Sequence, residues 1–80
     1  MLFRSTDLYA DFKEDIINAG KKIRHIREGK KISVAELAVL TGLTDSYIRE
    51  IEVGVADPYM TEIYEITKAL DIELSSLFEH

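Results

Sequence analysis

The chain has 80 residues, 46% of them hydrophobic and 31% charged, which allows one small domain and argues against wholesale disorder. It contains no Cys and two His (His25 and His80), so disulfides and thiolate metal sites are excluded and a metal centre has too few imidazoles. No apolar run approaches the roughly 18 residues of a membrane span, and the net charge of −5 speaks at first against nucleic acid. That charge is unevenly spread. Residues 21–31 hold six basic side chains and one acidic, whereas residues 32–80 hold two basic and ten acidic. A polyanion should therefore be met first at 21–31.

In chain order, Leu8, Phe12, Ile16, Ala19, Ile23 and Ile26 follow at steps of four or three, the spacing of a helix face. This predicts an N-terminal helical arm over residues 1–18, then a first helix ending near Gly29, with Gly20 either breaking the two or lying within one helix. Ser33-Val-Ala-Glu36 is a capping-box signature, and a short helix from about 34 to 41 should follow and stop at Gly42. Thr44 is a good N-cap for a helix from about 45 to 53, with Gly54 placed to end it. Asp57-Pro58 predicts a cap and a first-turn proline for a fourth helix, with Met60, Ile63, Ile66, Thr67 and Leu70 on its apolar face. A last short turn carries Ile72, Leu74, Leu77 and Phe78. No strand signal competes, so the expected class is all-α, five short helices plus an N-terminal extension.

The two short helices around Thr41-Gly42-Leu43 are the informative part. Two helices crossing steeply need a small residue at the contact, and Ala38 fills that place. The tight turn favours a residue tolerant of positive φ, which Gly42 supplies. Ile48 and Ile51 give the second helix its inward anchors. Together these four constraints mark a helix-turn-helix over residues 34–53.

At these residues the chain resembles the lambda-repressor-like (Cro/repressor, or xenobiotic-response-element) helix-turn-helix proteins. The resemblance covers roughly residues 19 to 78 and leaves out 1–18. It is carried by Gly20-Lys-Lys-Ile-Arg-His-Ile-Arg27, Ile32-Ser-Val-Ala-Glu-Leu-Ala38, Gly42-Leu-Thr-Asp-Ser-Tyr-Ile-Arg-Glu-Ile-Glu52, Gly54, Pro58, Ile66-Thr-Lys-Ala-Leu70 and Leu77-Phe78. It implies a helix-turn-helix domain over 19–80 that binds double-stranded DNA. The third helix would enter the major groove, usually in a homodimer on a palindromic operator in a bacterial or phage cytoplasm.

Carried onto this sequence, the resemblance puts Asp45, Ser46 and Glu50 at base-reading positions, with Tyr47 and Arg49 on the same side or its flank. Ser33, Thr44 and the amides at the start of the second helix match phosphate-contacting places, where a helix N-terminus favours an anion. Lys21, Arg24 and Lys30, in the basic run, are candidate phosphate contacts beside the motif. Arg27 and Glu52 match a structural ion pair between the first and third helices, with some phosphate steering by Arg27. The departures are that Val34 replaces a polar, Gln-like residue, Asp45 a basic one, and residues 53–57 lack the usual donors and positive charge. Lys31 stands where a turn glycine is usual, and a monomer is expected to bind DNA weakly.

Each site has a plainer alternative. Asp45 and Arg49 can pair at i,i+4 on a solvated face, and Tyr47 can bond a phosphate or pack locally. Leu8, Phe12 and Ile16 either pack on their own domain or form a dimer or partner surface, as could Leu74 and Phe78. His25 and His80 are expected on the surface. Glu62, Glu65, Glu73 and Glu79 are expected on exposed helical faces, with no nucleophile or general base nearby to suggest catalysis. No cofactor or metal is expected. The alternative to a DNA-binding repressor is a protein-interaction module on the same fold, such as an antitoxin, anti-repressor or partner subunit.

Overall fold

The apolar spacing of the N-terminal third runs unbroken into one helix. A computed structural model describes residues 5–79, with side chains from residue 12 onward, and its first helix, α1, spans Ser5–Gly29. Leu8, as a side chain, and His80 lie outside the described residues. The junction expected at 18/19 falls inside α1, so arm and first helix are a single element. Gly20 lies within it for a steric reason. A Cβ at Gly20 would sit 2.0 Å from the Ile51 carbonyl oxygen, so the close approach of two helices there requires glycine.

The chain continues as α2 (Val34–Thr41), α3 (Asp45–Val53), α4 (Met60–Leu70) and a 3-10 turn (Leu74–Leu77). The described residues are thus all-α, with four α-helices and one 3-10 turn in place of five helices and a separate extension. The last element is a short turn, as its spacing predicts, because Asp71, at φ 57°, ends α4 and leaves a short segment containing Ser75 and Ser76. Serine side chains compete for the backbone, and the Ser76 hydroxyl donates to the Glu73 carbonyl at 2.5 Å.

Local chemistry sets the ends of the motif helices. Ser33 Oγ accepts from the Glu36 amide at 3.0 Å while Glu36 Oε1 accepts from the Ser33 amide at 3.1 Å, closing the capping box. Gly42 ends α2 at φ 76° and donates its N–H to the Ala38 carbonyl. Thr44 Oγ1 accepts from the Tyr47 amide, and Gly54 ends α3 at φ 85°. Between α1 and α2 the left-handed position is filled by Lys31 at φ 60°. Its N–H donates to the Glu28 carbonyl and that of Ile32 to Arg27, the bonding of a glycine-type helix stop without the glycine.

α4 begins at Met60, later than the Asp57-Pro58 signal predicts. Glu62, at the third helical position, accepts from the Tyr59 amide at 2.8 Å, so Tyr59 becomes the cap. Pro58 is buried ahead of the helix rather than serving in its first turn.

The core gathers Ala19, Ile23, Leu37, Ala38, Ile48, Ile51, Ile63, Ile66, Leu70 and Leu77. Thr67 is buried with them, whereas Met60, expected on the same face of α4, is exposed. α1 packs chiefly along α3, and α2 bridges α3 and α4. The 3-10 turn closes the base between α1 and α4. Every element therefore converges on α3, directly or through one neighbour.

Candidate nucleic-acid interface

The outer face of α3 is polar and open. Asp45, Ser46, Arg49 and Glu50 are all exposed, while Ile48 and Ile51 point into the core and fix the rotation of the helix. Ser33 and Thr44 are exposed at the starts of α2 and α3. Each uses a lone pair to cap its helix and keeps its O–H free to donate outward.

The i,i+4 pair expected between Asp45 and Arg49 is not formed. Arg49 instead lines a cleft of about 280 Å³ with Arg24, Arg27, Val34, Glu52 and Val53. Asp45, left in the first turn of α3, complements the helix dipole.

Beneath that cleft α3 is tied to α1 by a two-pronged ion pair. Arg27 Nε donates to Glu52 Oε2 at 2.7 Å and Arg27 Nη2 to Glu52 Oε1 at 3.0 Å, with the residues 8% and 5% exposed. Arg27 Nη1 also donates to the Ile32 carbonyl at 2.8 Å, so one guanidinium joins α1, the α1–α2 turn and α3. The hydrogen bonds that Arg27 donates to Glu52 hold its pKa above the ordinary value, against the opposing effect of burial. With its nitrogens committed in this way, Arg27 has little to offer a phosphate.

Tyr47 is half-buried, not exposed, and its hydroxyl donates to Glu62 Oε1 at 2.5 Å. Burial first, then the carboxylate, push its pKa up to about 12. Glu62 is likewise half-buried rather than on an open face, since one oxygen accepts from both Tyr47 and the Tyr59 amide. The sequence signalled the local half of this arrangement, a Glu three residues into α4. The Tyr47 partner is a tertiary contact that no spacing rule reveals.

The basic run divides. Lys21, Arg24, His25 and Lys30 are exposed, with Arg24 in a loose 3.4 Å contact to Glu28. Lys22 is half-buried and donates to the Glu79 carbonyl. Lys21 borders a second cleft, with Asp15, Asn18, Lys22, Leu77, Phe78 and Glu79, between α1 and the 3-10 turn. The structure therefore joins Arg24 to Arg49 and places Lys21 in a different cleft. Glu65, Glu73 and Glu79 are exposed.

Of the residues expected on a partner surface, Ile16 is corrected. It is 6% exposed and belongs to its own domain, because the register that buries Ala19 and Ile23 carries it inward as well. Leu74 and Phe78 are half-buried against the core, whereas Phe12, 51% exposed, stays open. Sequence spacing missed Val39, Leu40, Val55, Tyr59 and Tyr64, all exposed apolar or aromatic positions. Among the described residues no group of His, Asp and Glu could hold a metal ion, and no helix is long and apolar enough to cross a membrane.

Comparison with known proteins agrees with this geometry. The sequence profile of the helix-turn-helix family matches residues 23–77. An uncharacterized HTH-type transcriptional regulator, y4dL, from Sinorhizobium fredii is 37% identical over 54 residues, covering 68% of this chain and 28% of the relative. The HTH-type transcriptional regulator SlrR of Bacillus subtilis is 36% identical over 61 residues, 75% of this chain and 40% of that protein. The chain thus spans well under half the length of these two relatives. The restriction-modification controller protein C.AhdI from Aeromonas hydrophila superposes with a TM-score of 0.76 at 35% identity, covering 81% of this chain and 98% of that one. With its capped motif helices, buried Arg27–Glu52 tie and outward polar α3, the chain belongs to the lambda-repressor-like helix-turn-helix family.

Proposed function

We propose that the protein is a sequence-specific DNA-binding transcriptional regulator, acting as a homodimeric repressor on a palindromic operator in a bacterial or phage cytoplasm. The observation that carries this is α3 itself, held by Arg27–Glu52, Tyr47–Glu62 and the Gly20 contact, yet leaving its entire polar face uncovered. A helix fixed so firmly and left open is suited to reading an external surface. Asp45 and Glu50 would accept from cytosine N4, and Ser46 would bond either kind of base. Ser33, Thr44, Lys21, Arg24 and Lys30 would hold phosphates. The transcriptional regulators among the relatives and the controller-protein neighbour support the same reading. The mechanism is occlusion, two α3 helices in successive major grooves roughly 34 Å apart across a promoter.

A second reading, a protein-interaction module, draws on one observation. Val53, Val55, Tyr59 and Tyr64 are all exposed in a stretch where residues 50–67 contain no basic side chain. Selection of bound duplexes from a random library, followed by salt titration of the winner, separates the two. A palindromic consensus with a steep negative slope of log K against log salt supports the regulator. Recovery of no motif, with binding gone at physiological salt, supports the interaction module.

A further inference from the structure

The cleft between α1, the start of α2 and α3 contains more positive charge than its architecture needs. Three of its lining residues are arginines and one is a carboxylate. Glu52 is fully engaged by Arg27, so that buried pair neutralises itself at the floor. Arg24 and Arg49 remain above it. Arg24 makes only the exposed 3.4 Å contact with Glu28, and no ion pair or hydrogen bond joins Arg49 to another side chain. Two guanidiniums bordering one cleft repel each other unless an anion lies between them. The Val34 and Val53 side chains, which complete the walls, supply neither a competing acceptor nor a donor.

The charge distribution argues the same way. Arg49 is the only basic residue from 32 to 67, and it lies where α3 meets the α1 run through Arg24. Arg49 lines this cleft with residues of α1 and α2, which puts it on the flank of α3 that borders α1. A flank position suits the sugar-phosphate backbone that borders a groove, whereas a base edge is reached from the centre of the helix. A guanidinium presents a planar fork of donors matched to phosphate oxygens, and two forks can hold one phosphate from opposite sides.

We infer that Arg24 and Arg49 form a two-arginine clamp for a single backbone phosphate of duplex DNA, over the Arg27–Glu52 floor. This rests on the DNA-binding reading above and assigns Arg49 to positioning on the backbone rather than to a base. The clamp compensates for Val34, whose side chain can make no hydrogen bond at the start of α2.

The test uses the full chain and the duplex recovered by selection, with R24Q, R49Q and the double variant measured by fluorescence anisotropy over a salt series. Both arginines are exposed, so the variants are expected to unfold at the wild-type urea midpoint. On a palindrome occupied by two subunits the double variant should flatten the slope of log K against log salt by about 1.8, the loss of one phosphate contact in each half-site. It should weaken matched and mismatched duplexes by equal factors. A neutral methylphosphonate is then walked through each half-site. One linkage should weaken the wild-type chain and abolish the further effect of both R24Q and R49Q. R49Q relaxing the preference at one base pair with the slope unchanged overturns the clamp, as does sensitivity of the two variants to different linkages. A wild-type chain that binds no duplex overturns the regulator reading and the clamp with it.

Discussion

Replacing Glu52 by Gln keeps the side chain's shape and removes the charge against which Arg27 is buried. The two residues are 8% and 5% exposed, so water cannot substitute for the missing partner. Breaking a buried pair from one side costs about 3–5 kcal/mol, and the remaining Gln oxygen places Glu52→Gln near about 3 kcal/mol. Arg27→Met leaves the Glu52 carboxylate buried and also strips the Ile32 carbonyl of its donor, adding about 1 kcal/mol and bringing the loss to about 5 kcal/mol. A chain of 80 residues has on the order of 4–12 kcal/mol in total, so either change removes a large share of it. The double variant Arg27→Met, Glu52→Leu buries no charge. It should lose only about 1–2 kcal/mol, mainly from Ile32, which makes the coupling between the sites favourable by several kcal/mol. Urea unfolding followed by circular dichroism at pH 7 measures these proteins and the single variant Glu52→Leu, which closes the cycle, with an unchanged m-value required for the comparison. If the double variant loses as much as Arg27→Met and Glu52→Leu added together, the pair does not act as a unit and the reasoning is wrong.

Three further changes probe the same frame. Gly20→Ala puts a methyl group 2.0 Å from the Ile51 carbonyl oxygen and should cost about 3 kcal/mol or more, read as a fall in thermal midpoint; a midpoint within a degree of wild type would show that the helices separate freely. Lys31→Gly relieves a left-handed residue at φ 60° and should stabilise by about 1 kcal/mol, raising the midpoint by about 4–8 °C, and no rise would mean that the turn carries no strain. Tyr47→Phe should lose about 1 kcal/mol at pH 7. Because folding raises the Tyr47 pKa from 10.0 to about 12, its contribution is complete below pH 10 and lost as pH rises through about 12. The gap between wild type and Tyr47→Phe should accordingly close over that window in urea midpoints, and a constant gap would show that folding does not raise the Tyr47 pKa.

How far the sequence could be read depended on the range of the interaction. Ser33 with Glu36, Thr44 with the Tyr47 amide, and the two left-handed glycines are contacts within four residues, and residue type and spacing disclose them. Gly20 was legible as a glycine but not as a close approach, because the atom that demands it, the Ile51 oxygen, lies 31 residues away. The start of α4 was misplaced for a related reason. Asp57-Pro58 is a good cap signal in isolation, but burial of Pro58 and the pull of Glu62 on the Tyr59 amide override it. The positions of α3's outward side chains followed from where Ile48 and Ile51 must point. The surroundings of Arg49 did not, since an i,i+4 partner on its own helix and a cleft beside α1 are equivalent until tertiary structure chooses between them.

Net charge therefore misleads in both directions. The acidic total conceals a basic run, and the basic run in turn overstates what a polyanion can touch. Arg27 is consumed by Glu52, and Lys22 is drawn to the Glu79 carbonyl. Exposed cations from 21 to 49 reduce to Lys21, Arg24, Lys30, Lys31 and Arg49. Ser33 and Thr44 can bond phosphates, but as neutral donors they release no counterions. If each of these five cations neutralised its own phosphate, one subunit could reach a slope of log K against log salt of about −4.5, and two subunits about −9. For binding through these residues, a measured slope steeper than about −4.5 consequently requires a second copy on the same duplex. A slope of about −3.6 is reached equally by one subunit making four phosphate contacts, as the Arg24–Arg49 clamp implies, and by two subunits making two each, so only the steep result counts subunits.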